Sequence, residues 1–422
     1  GCEKGEGYTS VLVRVDVKAV IIYEEIHEDA YDPHEIEYHV IIKFGSQDPL
    51  EKGMYDTLRF NQRELLLYTH AIDELNAFQL EKSDNEFPIN IPKFVYGKYS
   101  DKNYVLVLEN MKMDYFSIIN INNALNFEQA KAALSQLARL HAVSYVYNKD
   151  NNILKKFPCF KADEQLKNIF IMGYNFAFEF IIEYLQTKPD MKILLEKIKN
   201  AKSSIINDCK ESFKEQYIPY ITCLNHGDSW NNNIMVKDCA NERNDNDGRY
   251  KICVIDWQLC HWDTPAYDLQ NFIAGSTTPD LRSEHLDNLL QHYHVCFTEV
   301  TNKLGSPTPN WGYEQLKKEY DRLNAYGFLK KIMFSVNLSD AQKELVTGDK
   351  HGTLNPCLNN GKKILSTFLI PVLLKPFFVN AQISILFDPI KKELISEKTS
   401  HFNERVIKIL LEAEKIGIFE RK

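Results

Sequence analysis

The pattern of apolar and polar residues changes character about a quarter of the way along the chain. Before that point, four runs show the alternation of β-strands, at residues 11–17, 38–44, 92–96 and 104–108. Between the second and third runs, the apolar residues of segment 60–78 recur at three- and four-residue spacing, which predicts a helix. We therefore predict a β-rich first part with strands around one helix.

Helical periodicity dominates the remaining residues. It predicts long helices at residues 127–147, 163–187, 191–207 and 404–416. Strand patterns return only around residues 234–236 and 252–255, and the Asn- and Asp-rich stretch 237–251 between them predicts a turn or hairpin loop. We expect a small β-rich lobe at residues 1–110, a large helical lobe at residues 111–422, and a ligand cleft between the two lobes.

Composition and charge exclude some classes of binding partner and of metal site. The chain has 422 residues, of which 44% are hydrophobic and 26% charged, as is ordinary for a globular protein. The formal net charge of −8 gives no support for general nucleic-acid binding, so we expect no nucleic-acid partner. The nine cysteines are scattered and form no Cys-x-x-Cys pair, which signals neither a zinc site nor a disulfide framework. Free thiols in a cytoplasmic protein are the simplest interpretation.

The most apolar segment, residues 364–387, is interrupted by Pro371, Lys375, Pro376 and Asn380. A membrane span needs about 20 mostly apolar residues, so we predict a buried helix pair here and no membrane partner. The first residues lack the pattern of a signal peptide, so we expect none. Gly1 stands almost inside a motif, which leaves open whether native residues precede it, and the oligomeric state is also open.

The residues that indicate chemistry lie in two neighbouring segments. The sequence LNHGDSWNNNIM spans residues 224–235, and ICVIDW spans residues 252–257. A surface turn would explain Asp228 and Asn233 by themselves. Together with Asp256 after an apolar strand, however, their order suits phosphoryl transfer. In that chemistry Asp228 takes the proton of an acceptor hydroxyl, while Asn233 and Asp256 hold Mg²⁺ on the nucleotide phosphates.

Residues of the first part fit a nucleotide site. Lys43 ends a strand and precedes the helical Glu64 by 21 positions, so the lysine could contact phosphates while the glutamate holds its ammonium group. Gly5, Gly7 and Ser10 precede the first strand, where glycines let backbone N–H groups approach phosphates. Taken alone, Lys43 and Glu64 would be interpreted as solvated surface charges, and the glycines as a flexible turn. The order of these residues along the chain favours a nucleotide site instead.

Several further residues have two interpretations. In segment 105–111, Glu109 and Met111 could pair with an adenine edge at an inter-lobe hinge, or the segment is a plain strand end. We expect His226 to brace the loop and His141 to lie in the core or on the cleft floor. Asp268 caps the next helix or braces the loop of Asp228.

Together these residues resemble the ecdysteroid kinase-like family, a branch of the aminoglycoside phosphotransferase and choline kinase group. The His-Gly-Asp-x-Trp-x-x-Asn run is typical of this branch, and the similarity extends over nearly the whole chain. The resemblance implies an α+β, protein-kinase-like two-lobed fold with ATP and Mg²⁺ as cofactors. By the same resemblance, Asp228 would be the catalytic base, Asn233 and Asp256 the metal ligands, Lys43 the phosphate contact and Glu64 its partner.

The chain departs from protein kinases in two respects. Trp257 and Gln258 follow Asp256 where a protein kinase has Phe-Gly, and no activation segment ending in Ala-Pro-Glu follows, which argues against peptide substrates. We therefore predict a small-molecule kinase that phosphorylates a hydroxyl group of an ecdysteroid, another hydroxylated metabolite or a xenobiotic. A kinase-fold protein that binds a hormone or metabolite without catalysis is the alternative. We expect the acceptor molecule to bind at segments 163–187, 272–280 and 371–387. Core packing, however, explains most of the aromatic residues in segment 163–187.

Overall fold

A computed structural model describes residues 11–21, 34–46, 49–84, 86–100, 103–119, 124–161, 164–212, 219–240, 248–337 and 400–420. Some expectations from the sequence fall outside these ranges. They are the glycine-rich segment with Gly5, Gly7 and Ser10, the helix pair at residues 364–387, and the third acceptor segment at residues 371–387.

The four predicted strands of the first part are confirmed, and they form one antiparallel sheet in the order β1-β2-β4-β3. They are β1 (Val11–Ile21), β2 (His34–Phe44), β3 (Phe94–Ser100) and β4 (Asn103–Glu109). Lys43, near the end of β2, is paired with Leu12 on one side and Leu106 on the other. The lysine therefore lies within the sheet and not at its edge.

Two helical regions follow β2, where the sequence predicted one. The first, α1 (Pro49–Thr57), was missed because nine residues are too few for an apolar repeat to stand out. The predicted helix is confirmed as α2 (Phe60–Leu66) and α3 (Ile72–Ser83), joined by the π-helical turn Leu67–Ala71. A π turn changes the angular relation of side chains before and after it, so Glu64 and the apolar residues of α3 face different neighbours.

The long helix α4 (Phe127–Asn151) connects the first sheet to the helical remainder. It begins at a capping box in which the side chains of Asn126 and Gln129 each accept a hydrogen bond from the other's backbone N–H. Its buried residues, Leu134 and Leu137 among them, belong to one apolar core with Leu75 of α3 and Leu106 of β4. That core continues into the helices that follow, so burial of apolar surface stabilises both parts together.

The predicted α+β fold is confirmed, with helices dominating the described residues after β4. These helices are α5 (Ile153–Lys156), α6 (Glu164–Gln186), α7 (Lys192–Ser212), α8 (Ala266–Ser276), α9 (Pro279–Lys303), α10 (Tyr313–Arg322), α11 (Asn324–Asn337) and α12 (Ser400–Lys415). A second apolar cluster joins α6, α7, α11 and α12. Tyr174, Phe178, Phe180 and Tyr184 of α6 are buried in it, which confirms core packing for these aromatic residues.

Short strands carry the segments with the polar motif. In a small sheet, β7 (Ile234–Asp238) pairs with β5 (Ser117–Ile118) and β8 (Tyr250–Val254), and elsewhere β6 (Cys223–Asn225) pairs with β9 (His261–Asp263). The expectation that strands return only at residues 234–236 and 252–255 is therefore wrong. Strands β5, β6 and β9 have two or three residues each, too few for alternation to appear.

No helix within the described ranges combines the length and the apolar character needed to cross a bilayer. The division of the chain into lobes at residue 110 stays a prediction. The four-stranded sheet ends at Glu109, and the 3₁₀ turn Met111–Asp114 follows at once.

An ion-pair cluster attaches α12 to the helices beneath it. The Glu412 carboxylate lies 2.6 Å from Arg282 Nη2 on α9 and 2.5 Å from Lys331 Nζ on α11. Both cations are buried, whereas the nearby pair of Glu414 with Lys197 lies at the surface. Removing a buried charge's partner leaves that charge uncompensated, so the two pairs should differ greatly in their contribution to stability.

We predict that Glu412→Gln lowers the free energy of unfolding by about 3 kcal/mol, because Arg282 and Lys331 stay buried without an anionic partner. Urea denaturation followed by circular dichroism measures this. The matched control is Glu414→Gln, two residues further on the same helix, which should leave the urea midpoint essentially unchanged. Equal losses in the two variants would contradict the structural role given to Glu412.

Candidate active site

A buried ion pair links the first sheet to the helix that follows it. Lys43 Nζ on β2 lies 2.8 and 3.0 Å from the two carboxylate oxygens of Glu64 on α2. The Tyr104 hydroxyl donates a further hydrogen bond of 2.8 Å to Glu64. Burial alone would lower the pKa of Lys43, but the negative charges of Asp256 and Glu64 outweigh burial and raise it. The ammonium group therefore stays charged inside the protein.

The same lysine reaches a carboxylate far along the chain. Lys43 Nζ lies 2.9 Å from Asp256 Oδ1, and the backbone N–H of Trp257 donates to Glu64 at 3.3 Å. Asp256 has φ of 63°, in the left-handed region that residues other than glycine seldom occupy. The Trp257 side chain is fully buried, and its indole N–H donates to the Val254 carbonyl at 3.3 Å. The sharp turn therefore buries the tryptophan and leaves the carboxylate of Asp256 partly exposed.

Asp228 and Asn233 form a pair within their own loop. Asn233 Nδ2 donates to the carboxylate Oδ2 and to the backbone carbonyl of Asp228, both at 2.9 Å. The backbone N–H of Ile255 donates to the Asn233 carbonyl at 3.0 Å, which brings Asp256 beside the pair. Burial raises the pKa of Asp228, and the charge of Asp256 adds to this, while Lys330, His226 and Asn233 oppose it.

His226 braces the loop, as expected from the sequence. Its Nε2–H donates to the Ile255 carbonyl at 2.9 Å, so its Nδ1 is free to accept the backbone N–H of Asp228 at 3.2 Å. The histidine thus connects the loop of Asp228 to the turn of Asp256.

Gly227 must be glycine for two reasons. Its φ is +83°, and a Cβ built there would lie 2.1 Å from the backbone carbonyl oxygen of Leu259. Because backbone cannot move aside as a side chain can, any other residue would push the loop away from its neighbour. The glycine therefore fixes the position from which Asp228 projects.

Asp268 lies in the first turn of α8, and its carboxylate accepts several hydrogen bonds from the loop that carries Asp228. Its carboxylate accepts from the backbone N–H of His226 at 2.6 Å, the backbone N–H of Gly227 at 2.9 Å and the Ser229 hydroxyl at 3.1 Å. His141 Nε2 lies 3.1 Å away, which places this histidine in the core. Of the two interpretations from the sequence, bracing of the loop is the one that the structure supports.

These donors also set the acidity of the buried carboxyl group. Burial alone would raise the pKa of Asp268, but the hydrogen bond and charge of His141, the charge of His226 and the N–H of Gly227 together lower it to about 2. With a pKa this low, Asp268 is an anion at neutral pH, so charge-assisted hydrogen bonds hold the loop.

Asn233 and Asp256 offer oxygen atoms that suit a hard cation. Within the described ranges, no hydrogen bond reaches Asn233 Oδ1 or Asp256 Oδ2, and no group of three or more His, Cys, Asp or Glu residues could hold a metal by itself. Mg²⁺ is commonly bound by one or two protein oxygens together with substrate phosphates and water. The donor set therefore fits Mg²⁺ that arrives with a nucleotide.

The predicted hinge region lies where β4 ends. Glu109 N–H donates to the Lys93 carbonyl at 3.0 Å. Met111 begins a 3₁₀ turn, and the first N–H groups of such a turn have no partner inside it. Its side chain packs on a small apolar cluster that contains Met235 and reaches Ile255, the residue before Asp256. Packed apolar side chains thus connect Met111 with the residue that precedes Asp256.

A sequence profile of the ecdysteroid kinase-like family matches residues 4–306. The chain belongs to the ecdysteroid kinase-like family. This confirms the resemblance and, with it, the expected class of kinase-like small-molecule phosphotransferases with an alcohol group as acceptor. No curated protein matches this ecdysteroid kinase-like chain significantly.

Solved structures give loose similarities to this ecdysteroid kinase-like protein. A choline kinase from Cryptosporidium parvum Iowa II is 10% identical, with 89% of this chain and 93% of that chain covered and a TM-score of 0.40. The GDP complex of aminoglycoside 2'-phosphotransferase-IIIa is 13% identical, with coverages of 82% and 92% and a TM-score of 0.38. At these TM-scores the family assignment rests on the sequence match.

The structure brings Lys43, Glu64 and Asp256 into one ion network beside Asp228 and Asn233. Sequence reasoning missed Lys330 of α11, a buried lysine in electrostatic contact with Asp228. Its signal was available: two adjacent lysines, Lys330 and Lys331, interrupt the apolar segment 326–334 of a helix. Buried lysines seldom occur without a partner or a role, so such an interruption marks a candidate.

We predict that Asp268→Asn destabilises this ecdysteroid kinase-like protein by about 2 kcal/mol at neutral pH, since the native pKa of about 2 lies below the ordinary value of 3.8. A depressed pKa gives stability that is fully present above the ordinary value and is lost as the pH falls toward 2. The difference between wild type and variant in urea denaturation should therefore shrink between pH 6 and pH 3.

The control is Asp238→Asn, which removes a carboxylate that pairs with Arg249 at the surface. It should change the urea midpoint little at either pH, because exposed pairs contribute little. If the Asp268→Asn deficit were the same at pH 3 as at pH 6, the charge of Asp268 would not be what stabilises the loop.

Proposed function

We propose that this protein is an ATP- and Mg²⁺-dependent kinase that transfers the γ-phosphoryl group to a hydroxyl of a small molecule. The observation that carries the proposal is the buried network of Lys43, Glu64 and Asp256 beside the Asp228–Asn233 pair. In this network Lys43 could contact nucleotide phosphates, and Asp256 could bind the metal ion that accompanies them. The neighbouring Asp228 carboxylate could accept the proton of an acceptor hydroxyl. Family membership favours an ecdysteroid or a related hydroxylated metabolite or xenobiotic as the acceptor.

In this proposal the nucleotide lies between the four-stranded sheet and the loop of Asp228. Lys43 contacts its phosphates and Glu64 holds the ammonium group in place, as their 2.8 Å contact allows. The adenine edge pairs with backbone groups of Glu109 and Met111, and the lobe boundary lies at this hinge. Gly5, Gly7 and Ser10 would cover the phosphates, although they lie outside the described residues.

Asn233 and Asp256 would hold Mg²⁺, which when bound neutralises charge on the nucleotide phosphates. Asn233 is fixed by its two hydrogen bonds to Asp228, so its Oδ1 has a defined direction. Asp256 keeps one oxygen for the cation because Lys43 contacts only the other. The two residues thus supply protein oxygens in a set geometry and leave the remaining positions to phosphate and water.

Asp228 would act as the base. As the acceptor oxygen bonds to the γ-phosphorus, its proton moves to the Asp228 carboxylate, and the bond between the γ-phosphorus and the bridging oxygen breaks so that ADP leaves with the electron pair. The pKa of Asp228 is raised by burial, which brings it closer to the pH of the cell and makes it a better base.

The acceptor would enter beside the loop, at the junction of α8 and α9. A cavity of about 100 Å³ opens there, lined by Asn231 of the loop, Gly275 and Thr277 of the junction, Phe334 and Arg405. Ligand pockets usually measure roughly 300–1,000 Å³, so this cavity would take one end of a ligand. Residues 274, 275 and 277–279 of the expected segment 272–280 line this cavity, whereas the described aromatic residues of α6 lie in the core.

We also propose a cytoplasmic location. Each cysteine that the structure describes is a free thiol, and Cys209, Cys223, Cys239, Cys253 and Cys260 are buried. Burial raises the pKa of the Cys253 and Cys260 thiols, which keeps them protonated and unreactive. Free thiols of this kind are typical of proteins in a reducing compartment.

We predict that Asp228→Asn lowers turnover by a factor on the order of 10²–10⁴, because the amide cannot take a proton. Transfer is measured by mass spectrometry as the gain of one phosphate on an acceptor found by screening hydroxylated steroids and xenobiotics with ATP. Asp238→Asn, which removes a surface carboxylate paired with Arg249, is the control and should keep full turnover. Near-wild-type turnover of Asp228→Asn would remove the role proposed for Asp228.

We predict that millimolar ATP raises the melting temperature and that Mg²⁺ adds a further increment, which Asn233→Ala abolishes. Ligand at 100 times its Kd stabilises by about 2.7 kcal/mol, so the effect is measurable by thermal shift. The neighbouring Asn232→Ala should retain the Mg²⁺ increment. Absence of any response to ATP with Mg²⁺ in the wild type would favour the alternative of a binding protein without catalysis.

A further inference from the structure

Three cationic side chains line the cavity at the junction of α8 and α9. They are Arg282 of α9, Lys331 of α11 and Arg405 of α12. Within the described ranges, no Asp or Glu lines the same space. Cations that face one space repel one another unless an anion lies among them. The charge of the cavity therefore depends on where the partners of these three side chains lie.

Two of the three cations share one anion, Glu412, which does not line the cavity. Arg282 donates to the Glu412 carboxylate from Nε at 2.9 Å and from Nη2 at 2.6 Å, and its Nη1 donates to the Thr277 carbonyl. Lys331 Nζ lies 2.5 Å from the same carboxylate. Burial and the charge of Arg282 lower the pKa of Lys331 to about 8, against the attraction of Glu412. One carboxylate does not balance two cations, so the wall of the cavity stays positive.

Arg405 is the third cation, and it is half-buried. Within the part of the chain that the structure describes, its guanidinium group makes no hydrogen bond or ion pair, and burial alone lowers its pKa. Taking a charge out of water without a partner is costly. A guanidinium group has five N–H donors in a planar fork that matches the oxygens of a carboxylate, sulfate or phosphate. Arg405 is therefore the side chain that a bound anion would contact.

The walls of the cavity connect it to the loop of Asp228. Asn231, three residues after Asp228, is part of the lining. Gly275 of α8 lies so close to the loop that a Cβ at this position would be 2.6 Å from Trp230 Cβ. Phe334 of α11, which also lines the cavity, stacks on Trp230 with ring centres 4.8 Å apart. A space of about 100 Å³ at this place suits one compact end of a ligand whose other end reaches the loop.

We infer that this cavity is the subsite for an anionic group of the acceptor, so that the substrate is a hydroxylated small molecule that also carries a carboxylate, sulfate or phosphate. Arg405 contacts this group, while Arg282 and Lys331 add positive charge to the wall. A neutral steroid would leave Arg405 without a partner, whereas an acidic or conjugated molecule compensates its charge. That the ligand is the acceptor rests on the proposed function, whereas binding of an anion is a property of the folded protein alone.

Binding of matched acids and esters tests this inference without nucleotide. A panel of hydroxylated steroid acids and aromatic hydroxy acids is compared with the neutral methyl esters of the same compounds by isothermal titration calorimetry. We expect at least one acid to bind the wild type about tenfold more tightly than its ester, and Arg405→Met to remove the difference. Arg405→Lys, which keeps the charge without the planar fork, should recover part of it. If no acid binds more tightly than its ester, or if Arg405→Met keeps the preference, the cavity is not an anion subsite.

Lys408→Met is the matched control, because it removes a positive charge from the same helix where Lys408 pairs with Asp280 and Glu404 at the surface. It should keep the preference for the acid. An equal loss in the two variants would show that the total charge of α12 decides binding, and would overturn the role of Arg405. If Arg405→Met does not fold, Arg405→Gln replaces it in the same titration.

Inorganic sulfate and inorganic phosphate are separate probes that distinguish a free ion from a group of the acceptor. We expect each ion alone to bind at least tenfold more weakly than the best hydroxylated acid, because the rest of the acid adds contacts beside the loop. If an ion alone bound as tightly as any acid and depended on Arg405, the cavity would be a site for a free anion, and its assignment to the acceptor would be wrong.

A further arm with ATP and Mg²⁺ separates this inference from the proposed function. For an acid that gains a phosphate, Arg405→Met should raise KM about tenfold and leave kcat nearly unchanged, as the loss of binding common to ground state and transition state requires. Phosphorylation of the neutral esters as efficiently as of the acids would overturn the inference and leave the proposed function standing. If the wild type neither binds Mg-ATP nor transfers phosphate, the proposed function fails, and the calorimetry still decides whether the cavity binds an anionic group.

Discussion

The Asp268 carboxylate accepts hydrogen bonds from two successive backbone N–H groups of the loop that carries Asp228, at His226 and Gly227, where the chain has no regular secondary structure. Such a loop has polar backbone groups that need partners once it is buried, and here an anion inside α8 supplies them. His141 of α4 is hydrogen-bonded to the same carboxylate, so two long helices set its position. Everything that the loop presents to a ligand depends on this one fixed charge.

A series of short contacts connects the loop held by Asp268 to the first sheet. The loop sets Asp228, which holds Asn233, whose carbonyl accepts the Ile255 N–H. Ile255 is followed by Asp256, which contacts Lys43 of the first sheet. The N-terminal sheet is thus tied to the helical part through polar contacts in addition to the shared apolar core. Displacement of any member would be transmitted to the next, because each contact is made by a buried or half-buried group.

The sequence was informative where the pattern is long and local. Strands such as β2 and helices such as α4 have enough residues for their periodicity to show, and the spacing of Asp228, Asn233 and Asp256 indicated chemistry before any fold was known. Strands of two or three residues, such as β6, depend on pairing with a distant segment and have no local pattern. Lys330 was missed for a related reason: Asp228, the carboxylate whose charge acts on it, lies about a hundred residues earlier in the chain.

The left-handed backbone at Asp256 has an evolutionary consequence. A residue with a Cβ gives up roughly 1 kcal/mol to adopt such a conformation, and glycine would adopt it without that loss. A glycine would also release the chain from having to place a carboxylate beside the charge of Asp228. The same turn, however, places the Asp256 carboxylate 2.9 Å from the buried Lys43, so a glycine would relieve the backbone and remove one of the two anions beside that lysine. Backbone conformation and ion pairing therefore act in opposite directions on the choice of residue at position 256.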